Sequence, residues 1–98
     1  MNILKTKNAD SLYIEVSGRL DSVTAPEFEA SVKPDLDGVK DLALDFKSLD
    51  YISSAGLRVL LMMQKHINGH GTMKIMNVSE PIKEVFDMTG FTDILSIE

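Results

Sequence analysis

The most informative segment for the fold is Asp50-Tyr51-Ile52-Ser53-Ser54-Ala55-Gly56-Leu57-Arg58-Val59-Leu60-Leu61. Before it, Leu42 to Phe46 alternates apolar and polar side chains, as a half-buried strand does, and after it the apolar residues recur at helical spacing. Ser53 and Ser54 fall where this helix must begin, and a serine oxygen there can accept a hydrogen bond from a free backbone N–H. A hydroxyl at a helix N-terminus is also a favourable place for a phosphate. The serines therefore indicate either a structural cap or a modification site.

The helix that follows the serines has two distinct sides when each residue is advanced by about 100°. The side opposite Ser54 holds Gly56, Val59, Leu60, Met63 and Ile67, with His66 at its edge. The side that includes Ser54 holds Arg58, Leu61, Lys65 and Asn68. Gly56 on the buried side predicts a close approach of the helix backbone to the sheet. Leu61 is either an ordinary exposed leucine or an apolar anchor for a partner, with Arg58 and Lys65 as its charged rim.

The remaining chain predicts further strands and helices from the same two periodicities. A first short strand is expected to begin at Ile3-Leu4. Further strands are expected over 12–17, 39–46 and 73–78, and a short strand or tail over 91–97. The expected helices begin at Thr24, near Ser54 and at Ser79, and they end near Pro34, Asn68 and Met88. Residues 18–22 are expected to form a loop, and Thr24 with Glu27 fits the spacing of a capping box.

The predicted order is therefore β-β-α-β-α-β-α-β, in one domain over residues 1–98. Strand–helix–strand connections imply parallel strands with right-handed crossovers, and the leading pair adds an antiparallel hairpin. The fold class is α/β: a mixed, mostly parallel sheet with helices packed on one face. The most apolar strand, 39–46, is expected at its centre.

Composition narrows the classes of function. The chain has no cysteine, and its 10 basic against 15 acidic residues give a net charge of −5. This charge argues against nucleic acid and against an anionic membrane surface as partners. The sequence shows no signal peptide and no apolar run long enough to insert into a membrane, so a cytoplasmic protein is expected. No phosphate-binding glycine motif is present, and no cofactor is expected.

Catalysis by Ser53 or Ser54 would require a general base within reach. His66 lies roughly 18 Å from Ser54 along a helix that rises about 1.5 Å per residue, which is too far for proton transfer. His66 and His70 are four residues apart, but glycines interrupt the helix around His70 and no carboxylate lies close in sequence, so no metal site is expected. A small serine hydrolase therefore remains only a remote alternative, and the chain is not expected to be an enzyme.

Three segments resemble the STAS domain family, the bacterial anti-sigma factor antagonists and their relatives. Ile52-Ser53-Ser54-Ala55-Gly56-Leu57 resembles the signature of this family. Gly18-Arg19-Leu20-Asp21 with Thr24-Ala25-Pro26 is similar to its G-x-L-D loop before the first helix. Val85-Phe86-Asp87-Met88-Thr89-Gly90-Phe91 resembles its last helix and the turn after it. The resemblance covers essentially the whole chain, with the three motifs in the family's order.

The resemblance implies a binding module that holds an anti-sigma factor of the serine-kinase type. Phosphorylation at the start of the second helix would release the kinase, and a PP2C-type phosphatase would restore binding. Counting back from Gly56-Leu57, the acceptor falls on Ser54. Ser53 occupies the position where the family commonly has an aspartate, so Ser53 is kept as an alternative acceptor. The expected partner surface comprises Asp21, Ser22, Ser53, Ser54, Arg58 and Leu61. The alternative is a STAS-type scaffold in another signalling or membrane-transport assembly, without phosphorylation.

Overall fold

Five strands form one sheet in the order β1-β2-β3-β4-β5 in the computed structural model, which describes residues 1–98. The elements are β1 (Asn2–Asn8), β2 (Ser11–Leu20), α1 (Ala25–Val32), β3 (Asp41–Ile52), α2 (Ser54–Ile67), β4 (Thr72–Met76), α3 (Glu80–Thr89) and β5 (Ser96–Ile97). β1 pairs antiparallel with β2, and all other neighbours are parallel. The predicted element order, the N-terminal hairpin and the central position of β3 are confirmed.

The sheet has one covered face and one open face. In β2, Leu12, Ile14 and Val16 are buried, whereas Tyr13 and Glu15 between them are half-buried. The buried strand residues form a single cluster of 24 residues with those of all three helices, including Phe28, Leu60 and Phe86. This alternation places the helices on one face, as predicted. None of the helices is of the length and apolarity that crossing a membrane requires.

The buried side of α2 matches the prediction from its sequence. Gly56, Val59, Leu60, Met63 and Ile67 are all buried. A Cβ added at Gly56 would lie 2.8 Å from both Ile52 Cγ1 and Leu20 Cγ and 3.0 Å from the Leu20 carbonyl oxygen. Real Cβ atoms essentially never approach this closely. The helix can therefore start directly above the ends of β2 and β3 because residue 56 has no side chain.

Two predicted strand boundaries are wrong at the end of the sheet that carries this helix. Residues 18–20, expected in a loop, continue β2, and β3 runs from Asp41 to Ile52 instead of ending at Phe46. The extensions pair with each other, Arg19 with Tyr51 and Leu20 with Ile52, after a register shift between Gly18 and Arg19. Each extension has a hydrogen-bonding partner only in the other, so neither segment alone reads as a strand. β4 is also shorter than predicted and ends at Met76.

The capping box predicted at α1 does not form. The Thr24 side chain makes no cap hydrogen bond, and its backbone has a helical conformation. Its hydroxyl donates instead to the Arg19 carbonyl oxygen (2.7 Å) and accepts from the Asp21 N–H (2.9 Å). Asp21 instead holds the turn before α1, since its Oδ1 accepts from the Val23 and Thr24 N–H groups, each at 3.0 Å. The helix ends at Val32 and passes into a 3₁₀ turn at Lys33–Asp35, close to the predicted stop at Pro34.

Candidate functional site

The carboxyl ends of β2 and β3 place two separate segments side by side. Leu20 pairs with Ile52, and the Ser53 N–H donates to the Leu20 carbonyl oxygen at 2.9 Å. The turn that begins at Asp21 therefore lies next to the first residues of α2. In parallel sheets, binding sites form characteristically beyond the carboxyl ends of the strands.

The two serines have different structural roles. Ser53 is extended and is the N-cap of α2, and its hydroxyl oxygen accepts from the Gly56 N–H at 3.4 Å. Ser54 is the first residue of the helix and is exposed, whereas Ser53 is half-buried. The first turn of α2 carries no acidic side chain, so the partial positive charge of its N-terminus is not offset there. The structure thus resolves the cap as Ser53 and leaves Ser54 facing solvent.

Asp21 fixes the turn beside these serines. The hydrogen bond from the Thr24 N–H, followed by the bond from Val23 and the Arg19 charge, lowers the pKa of Asp21 despite an opposing effect of desolvation. Arg19 Nε lies 3.6 Å from Asp21 Oδ2. The carboxylate is thereby held ionised and the backbone of residues 21–25 is held in one conformation. Asp21 thus has a structural role here in addition to the partner contact predicted for it.

A groove between α1 and α2 joins this turn to the helix. It is lined by Ser22, Ala25, Pro26 and Glu29 on one side and by Ala55, Arg58 and Val59 on the other, and has a volume of about 270 Å³. We call it the interhelical groove. It brings together two predicted site residues, Ser22 and Arg58, both of which are exposed. Leu61 lies two turns beyond Ser54 and is half-buried, so it presents less apolar surface than the predicted exposed anchor would.

Three residues at this end of the molecule were not predicted from the sequence to belong to the site: Val23, Tyr51 and Arg19. Val23, in the turn after Asp21, is 81% exposed. Tyr51 is 41% exposed, and the Arg19 guanidinium lies 4.3 Å above its ring centroid. Val23 could have been identified from the sequence, because it is an apolar residue between the polar residues Ser22 and Thr24. The Arg19–Tyr51 pair could not, because it depends on the shifted register between β2 and β3.

The two histidines lie at the opposite end of α2 from the serines. His66 Nε2 is 3.4 Å from Asp37 Oδ1, and the His66 and His70 rings are 6.2 Å apart in an edge-to-face arrangement. No group of three or more histidine, cysteine or acidic side chains is arranged to hold a metal. The structure therefore brings no histidine to Ser53 or Ser54.

Comparison with known proteins identifies the family of this fold and site. The STAS domain model matches residues 2–98, so the chain belongs to the STAS domain family. The anti-sigma-B factor antagonist of Staphylococcus aureus is 31% identical over 101 residues, covering 99% of this chain and 94% of that protein. An anti-sigma factor antagonist from Mycobacterium paratuberculosis has the same fold, with a TM-score of 0.88 at 20% identity over 98% of this chain and 83% of that one. The phosphorylated form of the Bacillus cell fate determinant SpoIIAA matches with a TM-score of 0.76 at 17% identity, over 99% of this chain and 91% of that one.

Proposed function

We propose that this protein is an anti-sigma factor antagonist. It binds an anti-sigma factor of the serine-kinase type through a docking surface made of Asp21, Ser22, Ser53, Ser54, Arg58 and Leu61. Phosphorylation of Ser54 ends the binding, and a PP2C-type phosphatase restores it. The observation that carries the proposal is the exposed Ser54 at the first position of α2, beside the turn that Asp21 fixes.

The choice of Ser54 over Ser53 follows from what each hydroxyl does in the fold. Ser53 Oγ accepts from the Gly56 N–H, and a phosphate there would have to replace the cap at the point where α2 meets β2. Ser54 can be modified without breaking a capping bond. A phosphate adds about −1.5 to −2 charges and three acceptor oxygens. The N-terminus of α2 stabilises such an anion, so the fold survives the modification.

The effect of phosphate on a partner is different. A partner packed over Ser54 has to exclude water from the contact, so a doubly charged group there would have to be desolvated, which is costly. The names of the relatives support an antagonist role, and the phosphorylated SpoIIAA structure supports a covalent switch on this fold. In this proposal the unphosphorylated protein binds the anti-sigma factor and the phosphorylated protein releases it, as a phosphorylation switch does.

The direct test is incubation of the protein with ATP and each serine-kinase anti-sigma factor of its own organism, followed by mass spectrometry. We expect one phosphate on Ser54, none in Ser54→Ala, and wild-type phosphorylation of Ser79→Ala. Ser79 is the matched control because it is an exposed serine at the start of α3. Absence of phosphate from both Ser53 and Ser54 with every kinase would contradict the switch and favour a STAS scaffold without phosphorylation.

Binding gives the second measurement. Ser54→Ala should bind the kinase in the presence of ATP without being released, whereas Ser54→Asp should bind at least about tenfold more weakly than wild type, or about 1.4 kcal/mol. Thermal unfolding of both variants is expected to match wild type closely, since Ser54 is exposed. Equal affinities for wild type and both variants would mean that Ser54 lies outside the interface.

A further inference from the structure

The interhelical groove extends the proposed docking surface onto a second helix. Ser22 and Arg58 belong both to the groove and to the docking surface. Ala55, in the groove wall, directly follows Ser54 in the chain. The other wall is formed by Pro26 and Glu29 of α1, of which Glu29 lies outside all three sequence motifs. A partner that covers Ser54 and Arg58 would therefore also lie over this groove.

The base of the groove is apolar and built from small or branched side chains, whereas its edges carry the polar residues Ser22, Glu29 and Arg58. Ala25 and Val59 are buried at its base, with 3% and 4% exposure, and Ala55 is half-buried beside them. Small residues on two facing helices leave space that a larger side chain would fill. The groove thus suits one large apolar side chain that enters from outside, as anchor residues do at the centre of protein interfaces.

The rim of the groove carries opposite charges on its two walls. Glu29 lies on the α1 wall and Arg58 on the α2 wall. Neither takes part in any of the four ion pairs of the protein, which join Lys5 to Asp35, Arg19 to Asp21, Lys47 to Glu15 and His66 to Asp37. An unpaired acid and an unpaired base on opposite walls select the orientation of a partner segment through complementary charge.

We infer that the interhelical groove is the specificity pocket for the anti-sigma factor. It receives one large apolar side chain from the partner, flanked by a carboxylate that meets Arg58 and a basic group that meets Glu29. This inference rests on the proposed function and adds α1 to the interface. It also gives the phosphate a second effect, since Arg58 lies four residues after Ser54, the spacing at which helix side chains pair. A phosphate on Ser54 would attract Arg58 away from the partner's carboxylate.

Filling the groove is the first test, with the purified kinase that phosphorylates Ser54 as the probe and calorimetry without ATP as the measurement. Ala55→Leu places a large side chain in the groove and should weaken binding by about tenfold or more. Ala30→Leu is the matched control, because Ala30 is exposed on α1 and does not line the groove. Equal affinities of Ala55→Leu and wild type, with both variants folded by circular dichroism, would overturn the inference.

Charge reversal is the second test, and it does not depend on filling the groove. Glu29→Lys is decisive because Glu29 lies on α1, outside the docking surface, and it should weaken binding by about tenfold. Glu84→Lys, an exposed position on α3, makes the same charge change and should leave the affinity unchanged. If Glu29→Lys and Glu84→Lys changed the affinity for the kinase equally, Glu29 would act only through the net charge of the protein. The inferred pocket would then be wrong.

Arg58→Glu tests the other wall, with Lys83→Glu, at an exposed position on α3, as its control. We expect Arg58→Glu to weaken binding at least about tenfold and Lys83→Glu to have little effect. If wild type itself binds no serine-kinase anti-sigma factor, the proposed function fails and the pocket with it. If wild type binds and the groove variants bind equally well, only the pocket is wrong.

Discussion

Asp45 is the single charged residue with its side chain buried, at 3% exposure. It lies in the centre of β3 on the open face, and its oxygens accept hydrogen bonds from the Tyr13 hydroxyl, the Asn77 amide (3.0 Å) and the Lys47 N–H (3.0 Å). These donors come from β2, from β3 itself and from the turn after β4, where Asn77 adopts a positive φ of 58°. A buried carboxylate is tolerated when it is fully hydrogen-bonded, and here it links three parts of the sheet.

Asp45→Asn should therefore destabilise the protein by about 1–3 kcal/mol, because hydrogen bonds to a charged acceptor are stronger than those to an amide. Urea unfolding at neutral pH measures the change. Asp41→Asn is the control, since Asp41 is exposed and bonds Thr72 at 3.3 Å, and it should change stability by less than about 0.5 kcal/mol. An equal loss of stability in the two variants would mean that the buried hydrogen bonds of Asp45 contribute no more to stability than the exposed bond of Asp41.

The same residue predicts an acid dependence of stability. Burial alone raises the pKa of Asp45, but the hydrogen bonds from Tyr13, Asn77 and the Lys47 N–H outweigh it and lower the pKa below its usual value. Ionised Asp45 thus stabilises the fold above its unfolded-state pKa of about 3.9, and this contribution is lost as pH falls through the lower folded-state value. The free energy of unfolding, measured from pH 7 downwards, should differ between wild type and Asp45→Asn at neutral pH and become similar below about pH 4. A difference that stays constant over this range would contradict the prediction.

Tyr13 titrates at the other end of the pH range. Its hydrogen bond to Asp45, with desolvation and the negative charges of Asp45 and Glu15, raises the pKa of Tyr13 from 10.0 to about 12. Because the folded-state pKa is raised, this stabilisation is complete below about pH 10 and is lost as pH rises through about 12. Ultraviolet titration should show a tyrosinate step near pH 12 that is absent in Tyr13→Phe and shifted to lower pH in Asp45→Asn. A Tyr13 step unmoved by Asp45→Asn would mean that Asp45 does not raise this pKa.

At the scale of elements, the start of α2 depends on the close approach at Gly56. Gly56→Ala would improve helix propensity by about 1 kcal/mol. The new Cβ would however meet the Leu20 backbone and two buried side chains, a cost of about 1–3 kcal/mol or more for overpacking. We expect net destabilisation, measured by urea unfolding. Lys65→Ala, at an exposed position of the same helix, introduces alanine without a steric clash and should be near neutral. A stabilised Gly56→Ala variant would mean that α2 can move away from the sheet at little cost.

For the whole molecule, the strand order determines where the fold is most resistant to opening. β3 is hydrogen-bonded on both sides and contributes Leu42, Leu44 and Phe46 to the core, whereas β1 is an edge strand whose residues are mostly exposed. Native-state hydrogen exchange should show the slowest amides in β3 and in its partners β2 and β4, and faster exchange in β1. Protection of β1 equal to that of β3 would indicate that something covers the edge of the sheet.

The sequence by itself determined the order of the elements, the mixed sheet and the buried side of α2, because these follow from local periodicity. It also identified the serine pair at the start of α2. Only the tertiary structure decided which serine is the cap, since that depends on the hydrogen bond from the Gly56 N–H to Ser53. The extensions of β2 and β3, the turn held by Asp21 and the groove between α1 and α2 likewise came only from the fold. Each depends on contacts between segments that are separated in the chain or on a choice among local hydrogen-bond partners, and periodicity carries no information about either.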